Sequence, residues 1–244
     1  IDTSFMEQLQ TDLRISANTA RFDDFELTGV AATAQTTADL ALFDLGDATA
    51  FSGALQARLR FDRNPEAPTI ELNVSGQDIN MGAAISTLQL PAVLPNGLNN
   101  FSLTMNAALG DWSDLLQNAR GKMTMRQASG AIAGFGPETL KAADGLQFTQ
   151  IDTTTNGASF ESFAVEAPII DGELKLEETT INYDETTRIA LNGVVQLANR
   201  SMALTARLDK SPDGQNQQRY FIGGGWDAPY IFGTLNGPPL PAAQ

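Results

Sequence analysis

The chain of 244 residues contains no cysteine and no histidine. Zinc centres built on those side chains, thiol nucleophiles and Ser–His–Asp triads are therefore excluded. A chain without thiols needs no redox management, which suits an oxidising, non-cytoplasmic setting such as the bacterial cell envelope. Charge is scarce as well: Asp, Glu, Lys and Arg together make up 18% of the residues, against roughly 25% in ordinary globular chains. Bases are the scarcer sign, 15 against 29 acids, for a net charge of −14. Such a surface repels phosphate backbones and disfavours adsorption to anionic headgroups, so nucleic acid is not expected as a partner and any dealings with lipid must run through apolar contact. Aromatic residues reach only 7%, and no run of about 18 apolar residues is present to cross a bilayer as a helix. The chain opens on Ile1 rather than Met, which suggests an excised segment, one from which an anchor or signal sequence could have been removed.

What fills the chain instead is Thr, Ser, Asn, Gln and Gly, a composition for solvated strands and turns. Period-two alternation dominates. In Leu55-Gln56-Ala57-Arg58-Leu59-Arg60-Phe61-Asp62 every odd position is apolar and every even one polar, and Ile70, Leu72 and Val74 interleave with Glu71, Asn73 and Ser75. The intervening Asp62–Pro68 is polar and Pro-punctuated, as a hairpin connection would be. The pattern recurs around Leu103 and Met105, Met123 and Met125, Leu174 and Leu176, Ile189 and Leu191, and from Met202 to Leu208. Strands with one oily and one wet face argue for antiparallel pairing, because buried parallel strands read as continuous apolar runs.

Three interruptions predict short capping helices: Asn80–Leu90 behind Asp78 or Asn80, Ser113–Arg120 behind a Ser113 cap, and Pro137–Ala143 with Pro in the first turn. From Gly223 onward the chain is rich in Gly and Pro, and regular strands are not expected to persist. The organisation expected is a first curved β segment over 1–145 carrying the short helices, a second over 146–236 continuing the same sheet, and a disordered tail over 237–244.

Chemistry is hard to place on this chain. Asp23-Asp24 and Glu177-Glu178 are adjacent acids, and neighbours in a strand point to opposite faces, so neither pair can flank one scissile bond. No loop has the ligand order of an EF-hand. Gly223-Gly224-Gly225 lacks the strand–loop–helix setting of a phosphate cradle. Trp226 can stack on a ligand or close the end of a sheet. No catalytic residue, metal site or cofactor is expected.

The apolar stripes remain. They form either a closed sandwich core or a surface for apolar ligands, and their Met, Ala and Leu content with few aromatic anchors makes a compliant surface. The candidate lipid-contacting wall is Leu55, Leu59, Ile70, Leu72, Leu103, Met105, Met123 and Met125, with a second wall of Leu174, Leu176, Ile189, Leu191, Leu204 and Leu208.

The order of segments resembles the C-terminal region of the AsmA family of bacterial envelope proteins, which is related to TamB-type, bridge-like lipid-transfer proteins. Asp12-Leu13-Arg14-Ile15-Ser16-Ala17 is similar to its opening strand, and Leu27–Ala34 to its second. Gly53–Asp62 resembles a G-x-L-x-A-R-L-x-x-D segment, and Pro68–Asp78 a P-x-L-x-L-x-x-x-G-x-D segment. Gly121, Gly130, Ala131, Ile132 and Gly134 match a later glycine-punctuated passage. Thr149–Leu208 resembles the closing hairpins and Gly223–Pro229 a G-x-W-x-x-P exit. Asp47–Phe51 departs from the Tyr-Gly-Gly turn usual in the family. The resemblance implies a long antiparallel, strongly curved sheet, an open groove or half-pipe with an apolar concave face. It also implies a periplasmic location and an inner-membrane anchor N-terminal to this segment. The expected partner is phospholipid or another apolar ligand, along with envelope proteins, in support of outer-membrane lipid homeostasis. A non-catalytic docking module with a closed β core is the alternative expectation.

Overall fold

The computed structural model describes residues 10–64, 66–143, 147–209 and 217–234. The expected tail at 237–244 lies outside them. The architecture is mainly β, one large antiparallel sheet with three short helices. The chain first lays down β1 (Thr11–Phe22), β2 (Phe25–Thr36), β3 (Leu40–Ala50), β4 (Gly53–Asp62) and β5 (Thr69–Asn80) as consecutive neighbours. Helix α1 (Met81–Leu88) leads to β6 (Leu98–Ala108), and α2 (Trp112–Gln117) to β7 (Arg120–Gln127). The chain then leaves the sheet, forming β8 (Gly130–Ala131), α3 (Pro137–Ala142), β9 (Thr149–Gln150) and β10 (Ser159–Phe160). It re-enters with β11 (Ser162–Ile170) directly beside β7, followed by β12 (Glu173–Asn182), β13 (Arg188–Gln196), β14 (Ser201–Asp209), β15 (Gln217–Gly225) and β16 (Ala228–Gly233). Strand β9 pairs with the outer side of β16, and β8 pairs with β10 as a separate ribbon. The boundary expected near residue 145 thus falls in the excursion between β7 and β11, and the sheet is continuous across it.

Local chemistry accounts for the element ends. Asn80 caps α1 by accepting from the Ala83 amide at 3.0 Å, and the helix stops where Gln89 turns left-handed at φ 51°. Helix α2 is capped by Asp111, whose Oδ1 accepts from the Asp114 amide at 2.8 Å. Ser113, the cap read from sequence, instead accepts from Gln117 one turn on. The Asp111 carboxylate, two positions before Ser113, reaches the free amides and complements the helix dipole. Pro137 occupies the first turn of α3 as expected. The β3–β4 turn places Phe51 and Ser52 both at positive φ, 51° and 69°, the backbone that matches strand twist in a two-residue hairpin.

The expectation that strands end at Gly223 is corrected. Gly223, Gly224 and Gly225 all pair, with Ala203, Met202 and Ser201 on one side and Tyr230, Pro229 and Ala228 on the other. The missing side chains make room for rings: a Cβ at Gly223 would lie 2.6 Å from the Phe221 ring. The Pro229 carbonyl accepts from the Ile151 amide at 2.8 Å, so its nitrogen faces the same side, away from β15, and the ladder with β15 loses no donor.

Candidate functional site: an apolar face, half open and half covered

Directly opposed residues of neighbouring antiparallel strands share a face, so register decides which side chains meet. One row of opposed residues crosses the sheet: Leu13, Ala34, Phe43, Leu59, Leu72, Met105, Gly121, Ile169, Leu174, Val195, Met202, Gly224 and Pro229. A parallel row runs Ile15, Ala32, Leu45, Ala57, Val74, Leu103, Met123 and Ala167. Both rows are free of polar side chains. The opposite face carries Thr33, Asp44, Arg58, Asn73, Thr104 and Lys122 in the same manner, with Arg58 donating to Asp44 at 2.9 Å.

Bulges hold this phase. In β5 an extra residue between Gly76 and Ile79 is absorbed with Asp78 at φ 54°. In β12 the extra residue falls between Leu176 and Thr179, at Glu177-Glu178. The adjacent acids are therefore the device that returns Thr179 and Ile181 to the oily side. Asp23, by contrast, sits in the β1–β2 turn at φ 52°.

All fourteen candidate contact residues lie on the apolar face, but their surroundings divide them. In the first wall Leu55, Leu59, Leu72, Leu103, Met105 and Met123 are half-buried, while Ile70 and Met125 are buried. In the second wall Leu174, Leu176, Ile189, Leu191, Leu204 and Leu208 are all buried in one core cluster. What covers them is the chain's own excursion. Ile132, Phe135, Leu140, Ala143, Ile151 and Phe160 belong to the same cluster, and Ile132, Phe135 and Ile151 face Leu191, Leu204 and Ile222 across a narrow crevice. The excursion is tied down at both ends: Ala131 accepts from the Asn96 amide, and the Ile151 amide donates to Pro229. The second wall therefore faces protein, not solvent.

Over β1–β6 the described residues form no comparable cover: only the short helices pack there, α1 through Met81 and Ala84 near Phe51 and Phe101, and α2 through Leu115 against Phe61 and Ile70. Two apolar clefts open there, one of about 240 Å³ lined by Ile15, Ala32, Phe43, Leu45, Ala57 and Leu59 among others. The other, of about 230 Å³, is lined by Leu59, Phe61, Ile70, Leu72, Met105 and Trp112. Leu59 borders both, and Trp112 stands at the rim with 66% of its surface exposed. Sequence reasoning missed Leu13, Ile15, Phe43, Leu45 and Trp112 as members of this face. The alternation of Leu13, Ile15 and Ala17 was the available signal for the first two.

Two polar side chains meet on the oily side of β6 and β7. Asn99, fully buried, donates to Gln127 at 2.9 Å, and Gln127 donates to the carbonyls of Ser129 and Asn96. Deeper in the covered half the hydroxyls of Thr179 and Tyr183 have no hydrogen-bond partner among the described residues, and burial raises the Tyr183 phenol well above its ordinary range. Trp226 closes the β14–β15 end, donating to the Ser201 carbonyl at 3.2 Å beneath Arg200. Among the described residues no cluster of three acids, histidines or cysteines is placed to hold a metal, and no helix is long and apolar enough to cross a membrane.

No family model matches the chain, and neither a curated protein nor a solved structure matches it.

Proposed function

We propose that this chain is a periplasmic segment of an AsmA-like protein that holds or passes phospholipid acyl chains along the apolar face of β1–β6, in support of outer-membrane lipid homeostasis. The observation that carries the reading is the uncovered apolar surface around Leu59, where two clefts with hardly any polar lining meet. Closed cores do not leave such side chains to water, and contiguous exposed apolar surface marks a place for a guest or partner. The order of motifs from Asp12 to Pro229 is the second support, and it brings in the location and the class of ligand. Curvature of the sheet into a groove belongs to the same proposal.

The mechanism is passive and non-catalytic. Each methylene removed from water contributes about 0.8 kcal/mol, while the headgroup stays solvated beyond the strand ends. The acidic surface and the paired charges of the wet face offer no attraction to anionic headgroups, so selection rests on the apolar part of the ligand. The covered half favours a narrower version of the first expectation: acyl chains reach as far as the line of Asn99 and Gln127, and the second wall supports the sheet instead of contacting ligand.

Leu59→Asp and Leu72→Asp test this. Both sites are half-buried, so the fold is expected to survive, as circular dichroism would report. Mass spectrometry of organic extracts should show lipid with the parent chain and several-fold less with either variant. Equal lipid content in folded variants would place the ligand elsewhere, and lipid-free parent protein would end the proposal.

A further inference from the structure

The two edges of the sheet are built differently. At one, β16 is short, contains Pro229 and is covered by β9 over Tyr230 and Ile231. At the other, β1 pairs with β2 along its length without a register break, and it carries no proline, lysine or bulge. Both of its faces are largely solvent-exposed, Leu13 to 47% and Ile15 to 44%. Long edge strands are ordinarily blunted, because their free amides and carbonyls recruit other strands. The Thr11 amide is directed at Thr36 Oγ1 of β2, at 3.1 Å. By the alternation of strand amides, the N–H and C=O groups of Asp12, Arg14 and Ser16 point away from β2, toward the side on which no described strand pairs.

We propose that this edge pairs antiparallel with β1 of a second copy of the chain, with Leu13 opposite Leu13. That register sets Asp12 across from Arg14 of the second copy and Arg14 across from its Asp12, two opposite-charge pairs on the wet side. On the oily side Leu13 meets its counterpart, with Ile15 across from Thr11. Registers centred on Asp12 or Arg14 oppose like charges, and the one centred on Ile15 leaves Asp12 facing Asn18 and Arg14 facing Ser16. Opposed residues share a face, so the two-fold axis stands perpendicular to the sheet. The open apolar halves of both copies then join at the centre, with a covered half at each outer end. The inference is independent of what ligand the face holds.

Sedimentation velocity of the whole chain, from micromolar to millimolar concentration at physiological salt, should show a concentration-dependent dimer. Hydrogen exchange should slow at Asp12, Arg14 and Ser16 as the dimer forms. Asp12→Arg places Arg opposite Arg, and Arg14→Asp places Asp opposite Asp. Each should weaken association about tenfold, and the double variant should restore it. Because these side chains are exposed, melting temperatures should stay unchanged at concentrations where the parent chain is monomeric. A monomer throughout the range, or a dimer indifferent to the single swaps, would overturn the proposal.

Discussion

Asn99 donates to Gln127 at 2.9 Å on the oily side of β6 and β7, where the open half of the sheet gives way to the covered half. Asn99 serves the Gln127 side-chain carbonyl and Gln127 serves the backbone, which offsets most of the cost of burying two amides in an apolar face and leaves Asn99 Oδ1 without a partner among the described residues. Gln127 is the more connected, since its amide also serves Ser129 and Asn96 at the start of the excursion. Gln127→Ala is expected to cost about 2–3 kcal/mol in chemical denaturation, and Asn99→Ala less. The double variant should cost clearly less than the two single losses combined, and strict additivity would show that the two side chains do not act as a unit.

Met125 and Leu59 stood together in the first wall as read from sequence, yet only one of them is available to a guest. Met125 is 4% exposed, packed among the buried side chains of the covered half. Met125→Asp would bury an unpaired carboxylate and is expected to unfold the chain or lower its stability by 3 kcal/mol or more, on the order of a lost buried pair. A cooperative thermal melt unchanged from the parent would contradict the placement.

The covering excursion depends on close backbone approach. A Cβ on Gly157 would fall 1.7 Å from the Ile132 carbonyl oxygen and 2.6 Å from that of Phe135. Gly157→Ala should therefore loosen the excursion and expose part of the second wall. Faster hydrogen exchange over residues 130–160, with β1–β5 unchanged, is the expected outcome. Uniform acceleration across the sheet would mean that the cover and the open half unfold together.

Acid should weaken the β12–β13 turn. The Asp184 carboxylate accepts from the amides of Thr186 and Thr187 and from the Thr186 hydroxyl, which lowers its pKa from 3.8 to about 2. Between those values the unfolded chain binds more protons than the folded one, so stability rises with pH there. The contribution is complete above the unfolded value and is lost as pH falls toward 2. Asp184→Ala should flatten that part of the stability–pH curve and leave the slope near neutrality alone. An identical acid limb in parent and variant would remove Asp184 from the account.

How far the sequence could be read depends on which physical signal each feature leaves. Strands such as β4 and β5 were legible because Leu55–Asp62 and Ile70–Ser75 alternate cleanly, and Asn80 and Pro137 marked helix starts by their own chemistry. Cover leaves no such mark. Leu55 and Leu59 alternate in the same way as Leu174 and Leu176, and only the path of residues 128–161 decides that the second pair is sealed. That path is written in loops and very short elements, whose docking depends on contacts far apart in the chain. The Gly223–Gly225 run misled for a related reason: composition spoke against a strand, while the flanking rings of Phe221 and Tyr230 required the absence of side chains.

The bulges carry one more implication, for how such a chain tolerates change. Residues can be added at the turns between strands without altering what faces what. One can also be removed at Glu177-Glu178, where β12 carries one residue more than β13, with Thr179 and Ile181 still on the oily side. Removing Thr180 from the regular stretch beyond the bulge would instead send Ile181 into water and draw Asn182 into the fat. Variation in length is thus expected to gather at the ends of the strands and at the bulges, and natural or laboratory deletions elsewhere within the strands should behave as inversions, far more damaging than their size.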